Sequence, residues 1–276
     1  IIISLILFFN QNGTSNNNPL AYFILFFVLL LEIRDKLLAH EQLQAGSAIQ
    51  NALMPPEHPG IPGWDVWLKS KPARMVGGDY LDVHAIDETR CGVAIGDVSG
   101  KGLGAALLMA KLQASAEALI GHTRTLAEMT AQLNNLFCTP RLRNQFISFM
   151  YIEIDGSTLS FVNAGHLPPW IIRNGKLIEM PKGGVALGLV RNQHYELQTV
   201  ELQVGDVFVA VTDGCTEVRD EEGRFIDEAA LRQELVNVSQ NSARQIGEHL
   251  MTTILDFSAG ALQHDDLTLM ILKRNK

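Results

Sequence analysis

Two aspartates that flank a short polar turn could hold a metal ion between them. Asp79 and Asp97 lie at equal distances from Glu88, which is the centre of the turn Asp87–Arg90. If the flanking segments form an antiparallel hairpin about this turn, the two carboxylates face each other and repel. A divalent cation reverses the sign of that interaction, because carboxylate oxygens are the preferred ligands of Mg²⁺ and Mn²⁺. A shift of one residue in the register would instead leave two ordinary turn aspartates.

Three further aspartates lie next to predicted strands. Asp213 follows an apolar strand and precedes Gly214, and Asp265 and Asp266 come directly before another apolar strand. Acidic side chains at the ends of strands in one sheet system could together form a two-metal centre, which activates water and neutralises the charge of a phosphoryl group. Asp206 resembles these positions locally, but it follows a polar stretch and opens a strand, so we interpret it as a turn residue.

Other residues with reactive side chains give weaker signals. The segment Gly96–Gly102 resembles a nucleotide-binding loop, but it is one residue short and has Gly102 where such a loop needs Ser or Thr. His166 could be catalytic, although a histidine after glycine at a strand end more often fixes a turn. His264 could donate a proton or simply be an exposed loop residue. Ser99 has no neighbouring base in the sequence, so a covalent serine nucleophile is not supported.

The composition argues against nucleic acid as a partner. The chain has 276 residues and a formal net charge of -8, and it lacks the clustered Lys and Arg that binding to a phosphate backbone requires. Its three cysteines, Cys91, Cys138 and Cys215, lie far apart, which fits neither a disulfide framework nor a zinc site. We therefore expect reduced thiols in a cytoplasmic domain. The length allows one domain of roughly 200 residues and a smaller segment.

The N-terminal segment, residues 1–33, differs from the rest because it is strongly apolar. Neither Ile1–Phe9 nor Leu20–Leu31 reaches the roughly 18 residues of a confident membrane-spanning helix. The segment could nevertheless insert into a membrane, or form a buried helix. Arg34 and Lys36 follow it, so an inserted segment would anchor the next domain to the cytoplasmic side of the inner membrane.

Residues 34–55 predict a linker helix. Apolar residues recur at roughly helical spacing, and Pro55-Pro56 ends the pattern. Such a helix could pair with a second copy in a coiled coil and form a homodimer, although the apolar stripe is irregular around Gly46.

From residue 56 to residue 276 the sequence predicts an α+β domain. Short alternating or apolar runs between turn residues predict strands that pair in sequence, with helices inserted in blocks, which is typical of layered antiparallel sheets. The predicted strands are Asp65–Lys69, Asp79–Ile86, Cys91–Asp97, Phe146–Ile154, Thr158–Asn163, Trp170–Arg173, Lys176–Met180, Tyr195–Gln203, Asp206–Thr212 and Leu267–Leu272. The predicted helices are Leu103–Ile120, Leu126–Phe137, Glu228–Val236 and Ala243–Phe257.

Several motifs occur in an order that resembles the bacterial RsbU/SpoIIE branch of the metal-dependent protein phosphatases, the PPM family. The motifs are Arg74-Met75-Val76-Gly77-Gly78-Asp79, Ile95–Gly102, Asn163-Ala164-Gly165-His166, Thr212-Asp213-Gly214 with Thr216-Glu217, and Asp265-Asp266-Leu267-Thr268. The resemblance covers about residues 45–273. The helical segment Ile49–Pro55 also resembles the segment that leads into such domains.

The resemblance implies a β-sandwich flanked by helices, an αββα arrangement, with two Mn²⁺ or Mg²⁺ ions at one end. The positions that match the family's metal ligands are Asp79, Asp97, the backbone carbonyl of Val98, Asp213 and Asp265, with Asp266 in reserve because relatives often have Asn there. Arg74 matches a phosphate-contacting arginine, whose planar fork suits a phosphate group.

The activity that the resemblance implies is hydrolysis of phosphoserine or phosphothreonine on a protein by a metal-activated water. The implied substrates are small phosphorylated anti-sigma-factor antagonists of the STAS type. The N-terminal segment and the linker helix would carry a signal to the metal site through the helices Leu103–Ile120 and Leu126–Phe137. Two alternatives remain open: a catalytically weak binding module with the same fold, and a phosphodiesterase for small molecules. The complete acidic set argues against the first, and only substrate profiling separates the second.

Overall fold

The computed structural model describes residues 19–139, 142 and 145–275. The chain falls into two compact units, Ile1–Ser47 and Ala48–Lys276. Helix α1, Pro19–Leu53, begins in the first unit and ends in the second. The sequence predicted the linker helix only from residue 34. It begins earlier because the apolar residues before Glu32 are also compatible with a helix, and proline is tolerated in a first turn.

In the first unit, most apolar side chains of α1 are exposed. These residues are Tyr22, Phe23, Ile24, Phe26, Phe27, Val28, Leu29, Leu30, Ile33, Leu37 and Leu38. In the part of the chain that the structure describes, no helix combines the length and the apolar character needed to cross a membrane. The predicted apolar run Ile1–Phe9 lies outside the described residues.

The second unit contains ten strands and five helices after α1, counted over the described residues. The strands are β1 (Trp64–Lys71), β2 (Tyr80–Ala85), β3 (Arg90–Val98), β4 (Ile147–Asp155), β5 (Thr158–Ala164), β6 (Trp170–Arg173), β7 (Lys176–Glu179), β8 (Leu197–Glu201), β9 (Val207–Val211) and β10 (Leu267–Arg274). The helices are α2 (Leu103–Leu119), α3 (Leu126–Phe137), α4 (Asp213–Thr216), α5 (Glu228–Val238) and α6 (Ala243–Phe257).

The strands form two antiparallel sheets of five strands each. Sheet A has the order β1-β10-β9-β6-β7, and sheet B has the order β2-β3-β4-β5-β8. Each strand and each long helix predicted for this unit is present, and the ends differ by two residues at most. The single-turn helix α4 was not predicted, because four residues are too few for a periodic apolar pattern.

Three apolar cores separate four layers in this unit. The sheets pack against each other, α2 and α3 cover sheet B, and α5 and α6 cover sheet A. Alternation along β1 sends Val66 and Leu68 into the core between the sheets and Trp67 into the core beneath α6. Between the sheets, the rings of Phe161 and Phe208 meet edge to face with centroids 5.8 Å apart. The predicted sandwich flanked by helices is confirmed.

The register of the β2–β3 hairpin matches the prediction that started from Glu88. Tyr80 pairs with Gly96 at one end of the hairpin and Ala85 pairs with Cys91 at the other. Asp79 directly precedes β2, so the same register continues to bring it opposite Asp97 on β3. The hairpin therefore places both aspartates at the end of sheet B that lies away from the turn.

Candidate metal centre

Asp79 and Asp97 form the part of the site that sheet B contributes. Asp79 is 3% exposed, and its Oδ2 accepts a hydrogen bond of 2.9 Å from the hydroxyl of Thr212, the residue that follows β9 of sheet A. Asp97 is half-buried, and its backbone N–H donates to Ser148 Oγ on β4 at 3.3 Å. The contact between Asp79 and Thr212 shows that the ends of the two sheets meet at this point.

Sheet A contributes Asp213 and Asp265. Asp213 follows Thr212 as the first residue of α4, and Asp265 lies in the loop before β10. Strands β9 and β10 are neighbours, so their ends bring these two half-buried aspartates together. Nζ of Lys101, from the loop between β3 and α2, lies 2.9 Å from Oδ2 of Asp265.

The four carboxylates repel one another strongly. Burial, with added repulsion from Asp213 and Asp265, raises the pKa of Asp97 to about 7. Burial and the charge of Asp97 hold the pKa of Asp79 well above its usual range. Burial and Asp265 also raise the pKa of Asp213. Clustered oxygen donors with unbalanced negative charge are the set that hard divalent cations such as Mg²⁺ and Mn²⁺ prefer, so these residues fit such an ion.

Two observations describe how the four carboxylates are paired and arranged. Among the described residues, Lys101 is the only lysine or arginine paired with any of the four carboxylates. Within those same residues, no group of three or more His, Cys, Asp and Glu side chains is arranged to hold a metal ion directly. The carboxylates thus share an electrostatic environment, but their side chains do not form a closed coordination shell.

Asp266 differs from the other acidic residues because its oxygens are already engaged. Oδ1 accepts a hydrogen bond of 2.7 Å from the N–H of Ala73, and Oδ2 accepts one of 2.6 Å from the N–H of Gly78. A Cβ added to Gly77 would lie 2.4 Å from Oδ2 of Asp266, so only glycine allows this close approach. Asp266 therefore fixes the backbone of the loop that leads to Asp79.

Gln50, near the end of α1, fixes the same loop, and it is a residue that no sequence motif marked. Its side-chain amide donates to the carbonyl of Gly77 at 2.8 Å and accepts from the N–H of Gly77 at 3.0 Å. Gln50 is 5% exposed, so both hydrogen bonds are shielded from water. The sequence offers no signal for this role, because a glutamine on a linker helix is ordinarily exposed and only the fold buries Gln50 among polar partners.

Arg74 belongs to this loop, and Val98, the last residue of β3, lies close to it. Arg74 is exposed and forms no ion pair within the described part of the chain, so its guanidinium is accessible to an anion. The carbonyl oxygen of Val98 would lie 2.8 Å from a Cβ added to Gly78, and Oδ1 of Asp97 would lie 3.5 Å from it. Glycine at position 78 therefore lets the loop approach the end of β3.

His166 contacts Ser148, a residue that is hydrogen-bonded to Asp97. Asn163 brackets its backbone, because the Asn163 amide donates to the carbonyl of His166 at 3.1 Å and its Oδ1 accepts from the N–H of His166 at 2.8 Å. Nδ1 of His166 lies 3.0 Å from Ser148 Oγ, the group that accepts the N–H of Asp97. Burial lowers the pKa of His166 to about 4, so the ring is neutral at pH 7. These contacts support the interpretation of His166 as a turn residue.

The remaining motif residues have structural contacts. Ser99 Oγ accepts the N–H of Phe146 at 2.8 Å, and His264 is an exposed loop residue whose carbonyl accepts from Lys101. Asp206 accepts hydrogen bonds from the N–H of Gln203 at 2.8 Å and from Nε of Arg173 at 2.7 Å, as expected for a turn aspartate.

A cavity of about 340 Å³ opens beside the carboxylates. Asp213 and Asp265 line part of it, and Arg219 and His264 are also among the residues that line it.

Comparison with known proteins identifies related domains. Residues 87–275 match the family model described as Stage II sporulation protein E (SpoIIE). The chain is 24% identical over 264 residues to Protein IcfG of Synechocystis sp., which covers 85% of this chain and 42% of that protein. It is 26% identical over 238 residues to the phosphoserine phosphatase RsbU of Bacillus subtilis, which covers 84% of this chain and 70% of that protein.

Solved structures share the fold at low sequence identity. The SiaA-PP2C domain of Pseudomonas aeruginosa superimposes with a TM-score of 0.77 at 18% identity, and the match covers 87% of this chain and 98% of that domain. RsbX in complex with magnesium gives a TM-score of 0.58 at 15% identity, with coverage of 78% and 97%. The layered sandwich described above is thus the fold of PP2C phosphatase domains.

The pH dependence of stability tests the carboxylate cluster. A folded-state pKa of Asp97 raised from 3.8 to about 7 contributes stability that is present below pH 3.8 and lost as the pH rises through about 7. The lowered pKa of His166 makes stability rise with pH, but only below pH 6.5, the ordinary pKa of histidine. In EDTA, we therefore expect the melting temperature to fall between pH 6.5 and pH 8, and saturating Mn²⁺ to raise it more at pH 8 than at pH 5. A melting temperature that stays constant or rises over this interval in EDTA would contradict the clustering.

Proposed function

This chain belongs to the family of Stage II sporulation protein E, and on that premise we propose that it is a metal-dependent protein phosphatase. Its reaction would be hydrolysis of phosphoserine or phosphothreonine on a protein. The observation that carries the proposal is the convergence of Asp79, Asp97, Asp213 and Asp265 from the ends of two sheets, with raised pKa values on the first three. A phosphoprotein is itself anionic, so an acidic site of this kind needs cations before it can bind one.

The four aspartates would hold Mn²⁺ or Mg²⁺, most simply as two ions, with the carbonyl of Val98 as a further oxygen donor. Bound cations would supply a lowered pKa for the attacking water and would neutralise charge on the phosphoryl oxygens. Arg74, exposed in the loop that leads to Asp79, would bind the phosphate through its planar fork. The hydroxyl of Ser99 is engaged by the N–H of Phe146, so we propose direct attack by water and not by a serine nucleophile.

Asp266 and Gln50 have positioning roles in this proposal. Both hold the loop Ala73–Asp79, which carries the phosphate-binding and metal-binding side chains. Because the oxygens of Asp266 accept backbone N–H groups, we assign it to the support of Asp79 and not to the metal.

The wider organisation is also part of the proposal. Residues 56–276 would be the phosphatase domain, residues 34–55 a linker helix that can pair in a homodimer, and residues 1–33 a segment that attaches to the inner membrane, with the domain in the cytoplasm. The substrate class is supported by RsbU, which is named a phosphoserine phosphatase. We propose a phosphorylated STAS-type antagonist of an anti-sigma factor as the partner. The chain spans about two fifths of the length of IcfG, so partners of that longer protein do not follow from the match.

The opposite roles of Asp97 and Asp266 predict opposite effects of two matched substitutions. In EDTA at pH 8, Asp97→Asn removes a repelling charge, so the melting temperature should rise or stay constant, and Mn²⁺ should no longer stabilise the protein. Asp266→Asn places an amide nitrogen against a backbone N–H and should cost roughly 1–3 kcal/mol of stability, while Mn²⁺ still stabilises the variant.

Thermal unfolding with and without Mn²⁺ measures both effects. If Asp266→Asn were neutral in EDTA and abolished the stabilisation by Mn²⁺, Asp266 would be a metal ligand and the assignment above would be wrong.

Turnover tests the activity itself. The whole chain should hydrolyse an aryl phosphate and a phosphoserine protein only with Mn²⁺ or Mg²⁺, and Asp97→Asn should lower kcat/KM roughly 100-fold or more, because it removes a charge that holds the cations. Asp155→Asn, at an exposed position at the end of β4, is the matched control and should retain full activity.

Two outcomes would redirect the proposal. A folded native protein with no metal-dependent turnover on either substrate would favour a binding module. Turnover of a small phosphodiester, with none of the phosphoserine protein, would favour a phosphodiesterase.

A further inference from the structure

Lys101, in the loop between β3 and α2, brings a positive charge into contact with the carboxylate cluster. Its Nζ lies 2.9 Å from Oδ2 of Asp265 and also donates to the carbonyl oxygen of His264. Burial and the charge of Asp265 raise the pKa of Asp213, and the charge of Lys101 acts against that increase. Lys101 therefore balances part of the negative charge that sheet A contributes to the cluster.

The loop that carries Lys101 has a restricted backbone. It is anchored at Ser99, whose N–H donates to the carbonyl of Phe146 at 2.9 Å and whose Oγ accepts the N–H of Phe146 at 2.8 Å. Gly100 and Gly102 have φ angles of 106° and 71°, in the left-handed region that other residues rarely adopt. The conformation on both sides of Lys101 thus depends on glycine, which fixes the direction in which the chain presents this lysine.

Asp265 is held in place by contacts that do not involve Lys101. Its Oδ1 accepts the N–H of Asp266 at 3.1 Å. Nε2 of Gln263 donates to the carbonyl of Asp265 at 2.9 Å and to the carbonyl of Lys71, the last residue of β1, at 3.0 Å. Loss of the lysine ammonium would therefore leave the loop of Asp265 anchored to sheet A.

The charge of Lys101 opposes a cation more strongly than its ion pair helps one. Because Mg²⁺ lies about 2.1 Å from its ligand oxygens, an ion on Oδ2 of Asp265 would lie within about 5 Å of the Lys101 Nζ. Even at the dielectric constant of water, a unit charge at about 5 Å weakens the binding of a divalent cation roughly tenfold. The side chains of Lys101 and Asp265 are 44% and 45% exposed. An exposed ion pair changes an equilibrium by about fivefold at most, so repulsion outweighs positioning.

We propose that Lys101 is an internal counter-ion of the metal centre, which stabilises the carboxylate cluster by itself and weakens the binding of Mn²⁺ or Mg²⁺ at Asp265. The inference rests on the metal centre proposed above, but not on the phosphatase activity. A bound ion must share Asp265 with Lys101 or displace it. The four carboxylates therefore bind cations less tightly than they would alone, and the occupancy of the site responds to the concentration of free cation.

Calorimetric titration of the whole chain with Mn²⁺ at low ionic strength tests this role. Lys101→Gln should bind at least one Mn²⁺ ion about fivefold more tightly than the native protein, because the repelling charge is gone. In EDTA the same variant should have a lower melting temperature, because the carboxylates lose their counter-ion. Lys101→Arg keeps the charge and should keep the native affinity.

Lys111→Gln is the control for net charge. Lys111 lies on α2, where its Nζ donates to the carbonyl of Leu136 at 3.3 Å and lies 4.5 Å from the ring centroid of Phe137. This variant loses the same unit of charge without touching the cluster, so its affinity for Mn²⁺ should equal that of the native protein.

Two further conditions distinguish a charge effect from a change in ligand geometry. The ratio of the Lys101→Gln and native affinities should be the same for Mg²⁺ as for Mn²⁺, because both ions carry the same charge. The ratio should approach one in KCl at about 1 M, where the Debye length is about 3 Å.

The direction of the change in affinity decides the outcome. An affinity for Mn²⁺ that is unchanged or lower in Lys101→Gln would overturn the counter-ion role, and a lower one would make Lys101 a positioning residue for Asp265. Equally tight binding by Lys111→Gln would assign the effect to net charge and overturn the role as well. A native protein that binds no Mn²⁺ would overturn the metal centre itself, and this inference with it.

Discussion

Repulsion among carboxylates gathered from two sheets is the constraint on which the rest of this domain depends. Asp79 and Asp97 come from one sheet and Asp213 and Asp265 from the other, and burial strengthens their interaction because little water remains to screen it. A fold driven only by burial of apolar surface would not collect these charges. Their arrangement makes sense if the stability and the chemistry of this end of the sandwich are both coupled to a divalent cation.

The backbone around the cluster is held by neutral or fully satisfied polar contacts. Asp266 accepts two N–H groups of the loop before Asp79, and Gln50 makes a reciprocal pair of hydrogen bonds with Gly77. His166, which burial keeps neutral, contacts Ser148, and Ser148 accepts the N–H of Asp97. Gln50 and His166 give this support without adding charge, whereas the carboxylate of Asp266 also adds to the repulsion on Asp79 and Asp97. These supports also connect the end of α1 directly to the loop that carries Arg74 and Asp79.

The sequence was sufficient for the parts of the structure that depend on local periodicity. The ten strands, the long helices and the hairpin register about Glu88 follow from alternating apolar residues and turn chemistry, and the register alone was enough to place Asp79 opposite Asp97. Contacts between distant segments could not be read in this way. Asp266 accepts hydrogen bonds from Ala73 and Gly78, and Gln50 forms hydrogen bonds with Gly77. These contacts depend on how segments that are distant in the sequence meet in the fold. The early start of α1 at Pro19 was missed because its apolar residues fit several structures equally well.

The most direct test of the central claim is the position of Mn²⁺ in crystals of this protein, determined from its anomalous scattering. The account predicts density for the ion between Asp79 and Asp97, with Asp213 and Asp265 completing the ligand set and Asp266 still bonded to the N–H groups of Ala73 and Gly78. Absence of Mn²⁺ from this cluster at saturating concentration, or an ion bound by Asp266 in place of those N–H groups, would contradict it.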